Sequence, residues 1–115
     1  MIRAILIDPK DRCVKWVHIP QSYESIEALI GDKFWVHTLL IGAGFAKESI
    51  FHRETNVPGY ADFMEDKIAC TGPGVVVCIG LHSVPEDPTC ALADVISKIT
   101  WIDKPQPWPF PTGKT

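Results

Sequence analysis

The sequence lacks both a strong charge bias and a long apolar run, and each absence excludes a class of partner. Its 11 Lys and Arg stand against 14 Asp and Glu, which gives a net charge of −3. No basic stripe is present that could neutralise phosphates, so we expect no nucleic-acid partner. No segment approaches the roughly 20 consecutive apolar residues that a membrane-spanning helix needs, so we expect neither a signal peptide nor a membrane partner.

The sequence also has no local motif for catalysis or for metal binding. There is no C-x2-C, H-E-x-x-H or G-x-S-x-G, and the closest local pairs, Cys13 with His18 and Cys78 with His82, do not make a ligand set. Gly42-x-Gly44-x-x-Lys47 lacks the rest of a phosphate-binding loop. We therefore expect no metal and no cofactor, and we interpret the two glycines as a hairpin turn.

The four cysteines are few and widely spaced, and they lie in or beside apolar segments. They are Cys13, Cys70, Cys78 and Cys90. This setting differs from that of a disulfide-stapled secreted domain and favours reduced, mostly buried thiols. We therefore expect a cytoplasmic protein.

The most prominent feature of the sequence is a series of short apolar runs, which predict β-strands. The runs are Ile2 to Ile7, Phe34 to Ile41, Phe45 to Phe51 and Val75 to Ile79. Asp8-Pro9 suits a type I turn between the first two strands, and Thr71 to Gly74 reads as the turn or bend before a central strand. Ile99 and Trp101 alternate as a last short strand.

Two short helices interrupt these strands. Ser22 is a candidate N-cap for a helix that ends at Gly31, and Asp87 before Pro88 is a candidate N-cap for the second. The second helix should bury a stripe of Leu92, Val95 and Ile96. The sequence thus predicts one α+β domain over residues 1–103, with an antiparallel or mixed sheet of about six strands.

The most polar segment, between His52 and Phe63, loses strand periodicity and predicts an irregular, exposed loop. Its candidate binding residues for a ligand or partner are His52, Arg53, Glu54, Tyr60 and Asp62. Arg53 could bind an anionic group through its planar guanidinium, and Tyr60 could stack on it. Substitutions at Arg53 or Tyr60 should then affect binding more than stability.

Residues 104–115 form a tail in which proline recurs at every second position from Pro105 to Pro111. Proline at this spacing favours an extended backbone and excludes a helix or a central strand. Trp108 and Phe110 lie between the prolines, and each can bury a large apolar area. We expect the tail to support a homo-oligomer, most simply a two-fold dimer.

Several apolar segments together resemble one known family. They are Met1-Ile2-Arg3-Ala4-Ile5-Leu6-Ile7-Asp8-Pro9, Val14, Tyr23-x-x-Ile26, Ile30-Gly31, Gly74-Val75-Val76-Val77, Leu92-x-x-Val95 and Trp101-Ile102. Over about residues 1–102 the chain is similar to the domain of unknown function 3846 family, small proteins of phages, plasmids and bacterial genomes. The resemblance implies an accessory protein of a mobile element and identifies no catalytic residue.

Three functions remain open from the sequence. The first is a non-enzymatic binding module for a host or phage protein, or for a small anionic, nucleotide-like ligand. The second is a small hydrolase or transferase that uses His52 and Glu54 as proton-transfer groups. The third is a purely structural oligomerisation protein.

Overall fold

A computed structural model describes residues 1–31, 34–38, 47–53, 61–66, 68–80 and 83–102. The strands are β1 (Ile2–Asp8), β2 (Cys13–Ile19), β3 (Phe34–Thr38), β4 (Lys47–Arg53), β5 (Phe63–Glu65), β6 (Ile68–Ile79), β7 (Pro85–Glu86) and β8 (Ile99–Trp101), and the helices are α1 (Tyr23–Ile30) and α2 (Leu92–Ile96). The α+β class is confirmed. No helix within these ranges is long and apolar enough to cross a membrane.

Strand β6 is the centre of an open sheet in the order β2-β1-β6-β4-β3. Every pairing in the described part of the chain is antiparallel. Strands β5 and β7 also pair with β6, and β8 pairs with β5, so eight strands are present in these ranges where about six were predicted. The two unpredicted strands have only three and two residues, too few to show a periodicity.

The sheet has a hydrophobic cluster on each face. On the face that we call the α1 face, Ile26 and Ile30 of α1 pack on β-strand residues that include Phe51 and Val77. On the opposite face, the α2 face, Val95 of α2 packs with residues that include Ile50 and Phe63. Ile50 and Phe51 of β4, and the run Val75 to Val77 of β6, alternate between the two clusters, so these stretches are apolar on both faces.

The first hairpin and helix α1 fold as the sequence predicts. Strands β1 and β2 form the predicted hairpin, with Ile2 opposite Ile19. The Ser22 side chain caps α1 by accepting a hydrogen bond of 3.2 Å from the backbone N–H of Ser25. Gly31 ends the helix with a φ of 83°, a left-handed conformation that favours glycine.

The predicted bend at Thr71 to Gly74 is present, because Gly72, with a φ of 74°, bends the chain between its pairing with β5 and its pairing with β1. The bend lies within β6 and does not precede it. The predicted cap of the second helix is wrong. Asp87 does not cap α2, which begins at Leu92; its Oδ1 instead accepts a hydrogen bond from the backbone N–H of Arg3 at 2.8 Å.

The stripe predicted for α2 is only partly correct. Val95 is buried and Leu92 packs against the core, but Ile96 is 50% exposed. The cysteines agree better with expectation, since all four are free thiols, two of them buried. The predicted turns at residues 42–44 and 56–59 and the tail 104–115 lie outside the described residues.

Replacement of Gly74 by Ala should destabilise the fold by about 1–3 kcal/mol, because the new methyl group would overpack the α2 face. A Cβ at Gly74 would lie 3.1 Å from Phe63 Cζ and 3.2 Å from Ile7 Cδ1. Urea unfolding of Gly74→Ala, of Phe63→Leu and of the double variant measures this effect. The double variant should lose less free energy of unfolding than the sum of the single variants, and strict additivity would show that Phe63 does not restrict this position.

Candidate functional site

A hydrogen-bonded chain of three polar side chains joins β3, β4 and β5 on the α2 face. His37 Nε2 lies 2.6 Å from Glu65 Oε1, and His37 Nδ1 lies 3.2 Å from His52 Nε2. His52 and Glu65 are buried, at 2% and 4% exposure, and His37 is half-buried. The network therefore lies almost entirely inside the protein.

The hydrogen bonds fix where the protons lie in this network. His52 Nδ1 lies 3.1 Å from the carbonyl oxygen of Arg53, so it must carry a hydrogen and donate it. Burial lowers the pKa of His52 below its ordinary value of 6.5 and outweighs the hydrogen bond to the Arg53 carbonyl, which raises it, while His37 adds a smaller lowering. Near pH 7 the His52 ring is therefore neutral and its Nε2 accepts. His37 Nδ1 therefore donates to His52, and His37 Nε2 shares one hydrogen with the Glu65 carboxyl.

All four ring nitrogens of His37 and His52 are consequently used within the protein. A general base needs a nitrogen or oxygen within reach of a substrate proton, and neither ring offers one in this arrangement. The network instead holds three strands together. Of the proton-transfer pair predicted from the sequence, His52 is committed to this network, and Glu54 lies outside the described residues.

Arg53 is the last residue of β4, and its side chain binds the C-terminal end of helix α1. Its Nη2 donates a hydrogen bond of 2.8 Å to the carbonyl oxygen of Ile30, the last residue of the helix. A cation at this position satisfies a terminal carbonyl and opposes the negative end of the helix dipole. The prediction that His52 and Arg53 lie on an exposed loop is wrong, because both belong to a strand and point inward from its two faces.

Asp62 stabilises the bend in β6. Its Oδ2 accepts a hydrogen bond of 2.7 Å from the backbone N–H of Gly72. The Arg53 guanidinium packs on the same glycine, since a Cβ there would lie 3.1 Å from Arg53 Cζ. The structure thus brings Arg53 and Asp62 to one point, where they support the backbone. Tyr60, the remaining residue of the predicted binding loop, lies outside the described residues.

The thiols of Cys70 and Cys90 are poor nucleophiles in this fold. Burial raises the pKa of Cys70 to about 12, and burial together with the nearby Glu48 carboxylate raises the pKa of Cys90 to about 11. A protonated thiol neither attacks a substrate nor ligates a metal readily. Among the described residues, no group of three His, Cys, Asp or Glu side chains is arranged to hold a metal ion.

An apolar groove of about 480 Å³ lies on the α1 face, between the start of α1 and strand β3. Its lining residues are Tyr23, Phe34, Val36, His37, Thr38, Ser49, Phe51, Ile79 and Ser83. Phe34 and Phe51 meet edge to face at 4.9 Å, and the Tyr23 hydroxyl donates to the carbonyl oxygen of Ser83 at 2.6 Å. The His37 ring points to the opposite face, so this residue contributes its backbone to the groove.

Sequence reasoning missed the groove and the partners of His52. A hairpin between β3 and β4 was predicted, but its register decides whether His37 and His52 share a face. In the structure, Trp35 is opposite His52 and His37 is opposite Ile50, which puts both imidazoles on the α2 face. A shift of one residue would put them on opposite faces, so the glycine turn alone could not locate the network.

Comparison of the chain with family models, curated proteins and solved structures found no match. The resemblance to the domain of unknown function 3846 family therefore stays a prediction.

Acidification from pH 7 to pH 5 should lower the melting temperature through His52. The unfolded chain binds a proton near pH 6.5, whereas the folded chain resists protonation, so stability falls as the pH drops below 6.5 until it passes the lowered pKa of the folded state. Protonated His52 would also lose its acceptor nitrogen for His37. Thermal melts of His52→Gln should show a smaller fall than the wild type.

His18→Gln is the matched control for this measurement, because His18 is exposed on β2. It should keep the wild-type pH dependence. An equal fall in the wild type and in His52→Gln would assign the acid sensitivity to other groups.

Arg53→Ala should destabilise the protein by about 2 kcal/mol, because it removes a charge-assisted hydrogen bond from the end of α1. Lys15→Ala, at an exposed position on β2, should change stability by less than about 0.5 kcal/mol. Chemical denaturation of both variants tests the difference. If Arg53→Ala lowers the free energy of unfolding as little as Lys15→Ala does, Arg53 does not stabilise α1, and the exposed binding residue predicted from the sequence is the better description.

Proposed function

We propose that the protein is a non-enzymatic binding module that takes up an extended, apolar segment of a protein partner in the groove beside β3. The observation that carries the proposal is the coincidence of an aromatic groove with a strand at the edge of the sheet. Within the described part of the chain, β3 pairs only with β4, which leaves its outer backbone groups directed away from the sheet. A peptide can add to such an edge as a further strand.

The side chains of β3 support this mode of binding. Phe34, Val36 and Thr38 lie two residues apart on the α1 face and all line the groove. Val36 is 51% exposed although it is β-branched and apolar. A bound strand would cover it and place its own alternate side chains against Phe51. Main-chain hydrogen bonds would supply affinity, and the groove would select the side chains.

The groove suits an apolar segment better than the anionic ligand also considered. No Lys, Arg, Asp or Glu is among the described residues that line it. The cation expected to bind an anion, Arg53, is bonded to the end of α1. A protein partner from the host or from a mobile element is therefore the better-supported alternative.

The interior argues against the hydrolase alternative. His52 has both nitrogens bonded to protein atoms, and the pKa values of Cys70 and Cys90 are raised far above neutrality. Together these groups stabilise the fold and leave little for substrate chemistry.

Selection of random heptapeptides displayed on phage against the immobilised full chain tests the proposal. We expect enrichment of peptides with aromatic or β-branched residues at every second position. These peptides should bind Val36→Asp at least about 30-fold more weakly, because the new carboxylate would be buried in the groove.

Ile96→Asp is the matched control, since Ile96 is 50% exposed on α2, at the opposite face of the sheet. It should bind the selected peptides as the wild type does. The groove does not carry the proposed function if the selected peptides bind Val36→Asp as tightly as the wild type, or if the enriched peptides lack alternating apolar residues.

A further inference from the structure

We propose that the network of His37, His52 and Glu65 is a pH-sensitive latch, which holds β3 in the form that binds a peptide and lets it move when the network takes up a further proton. This inference rests on the proposed function and names a regulation of the same groove. It joins two observations. His37 lies in the strand that forms one wall of the groove, and its side chain reaches the buried network on the opposite face of the sheet.

Strand β3 has few side chains that hold it on the sheet. None of its five residues is fully buried, and Trp35 and Val36 are more than half exposed. On the α1 face, the ring of Phe34 meets that of Phe51 edge to face, with centroids 4.9 Å apart. On the α2 face, His37 joins the latch. In the described part of the chain, β3 thus has one partly buried side chain on each face.

The partners of His37 belong to strands that other contacts hold in place. His52 lies in β4, which also pairs with β6, and Glu65 lies in β5, which pairs with β6 and β8. A change in the hydrogen bonds of the latch should therefore move β3 and leave its partners where they are. Val36 and Thr38 stand on either side of His37 and line the groove, so such a movement alters the binding surface.

A further proton on His52 would break the bond between the two imidazoles. Its Nδ1 donates to the Arg53 carbonyl oxygen, and its Nε2 accepts from His37 Nδ1 at 3.2 Å. A proton on Nε2 would set two N–H groups against each other. It would also put positive charge on a ring whose centroid is 5.0 Å from that of His37.

Acid should favour the form in which β3 has moved away. In the closed form, burial lowers the pKa of His52 below 6.5, so the ring takes up its proton only at more acidic pH. Once β3 moves and water reaches the ring, the pKa returns towards its ordinary value. The open form therefore binds the proton more tightly, and a fall in pH shifts the population towards it. A peptide that needs the closed form should bind more weakly in acid.

The other titratable side chains near the α2 face are neutral or held by other contacts. Cys70 of β6 and Cys90 before α2 are neutral thiols, because their pKa values are raised to about 12 and about 11. Glu48 of β4 and Asp94 of α2 accept hydrogen bonds from the backbone N–H groups of residues 89 and 91. Arg53 points to the α1 face, and β8 has no titratable residue. The response therefore lies within the latch.

The affinity of a selected peptide at pH 7 and at pH 5 tests the latch. The probe is the phage-selected heptapeptide of highest affinity among those without titratable side chains, with both termini blocked, so that the probe itself does not respond to pH. Fluorescence anisotropy should show that the wild type binds it at least about fivefold more weakly at pH 5. The temperature is chosen so that circular dichroism shows a folded chain at both pH values.

His52→Gln should bind the probe with nearly the same affinity at both pH values. An amide can donate and accept hydrogen bonds but takes up no proton in this range. His18→Gln, at an exposed position on β2, is the matched control and should keep the wild-type dependence on pH. The proposal is overturned if the wild type binds equally well at both pH values, or if His52→Gln loses as much affinity as the wild type.

Amide hydrogen exchange of the peptide-free wild type decides the question even if His52→Gln fails to fold. The β3 amides that are protected at pH 7 should lose at least about fivefold of their protection at pH 5, relative to the amides of β1. The intrinsic effect of pH on exchange is removed by expressing the rates as protection factors. Unchanged protection of β3 would show that the latch stays closed, as it would if Glu65 took up the proton, and would overturn the proposal.

The two proposals fail in different ways. If peptides bind through Val36 with the same affinity at both pH values, the groove binds its partner without this regulation, and only the latch is overturned. If no selected peptide binds through Val36, the proposed function is overturned, and the regulation that rests on it is overturned as well.

Discussion

The bend of β6 at Gly72 is the constraint on which the rest of the structure depends. Its left-handed φ of 74° lets one strand pair with β5 before the bend and with β1 and most of β4 after it, while Arg53 of β4 pairs with Thr71 at the bend itself. Arg53 packs on this glycine and Asp62 accepts its N–H. The bend thereby folds β5 over the α2 face and carries Glu65 to His37.

The buried polar side chains of this protein illustrate why a buried titratable group need not be catalytic. Burying a polar group costs free energy unless its hydrogen bonds are remade, and His37, His52 and Glu65 remake theirs with one another and with the Arg53 carbonyl. Glu48 is buried as well, and it accepts a bond of 2.7 Å from the backbone N–H of Thr89. These bonds tie short segments of the α2 face to β3 and β4.

In contrast to these buried polar groups, strand β3 exposes apolar side chains at the surface. Trp35 and Val36 of β3 are more than half exposed, on the two faces of one edge strand. Large apolar side chains beside a strand edge invite pairing with another chain. The groove beside this strand is the feature on which the proposed binding module depends.

The sequence by itself determined the elements whose signals are local. The apolar runs predicted β1, β2 and the C-terminal part of β6, and the Ser22 cap with Gly31 predicted α1, because turn residues and caps act within a few positions of the chain. Tertiary structure decided the rest. Strand β5 exists through pairing with β6 and β8, and β7 through pairing with β6. The roles of Arg53 and His52 depend on register, since one step along β4 sends a side chain to the opposite face. Arg53 and His52 are adjacent in sequence but act on opposite faces of the sheet, since Arg53 caps helix α1 and His52 joins three strands.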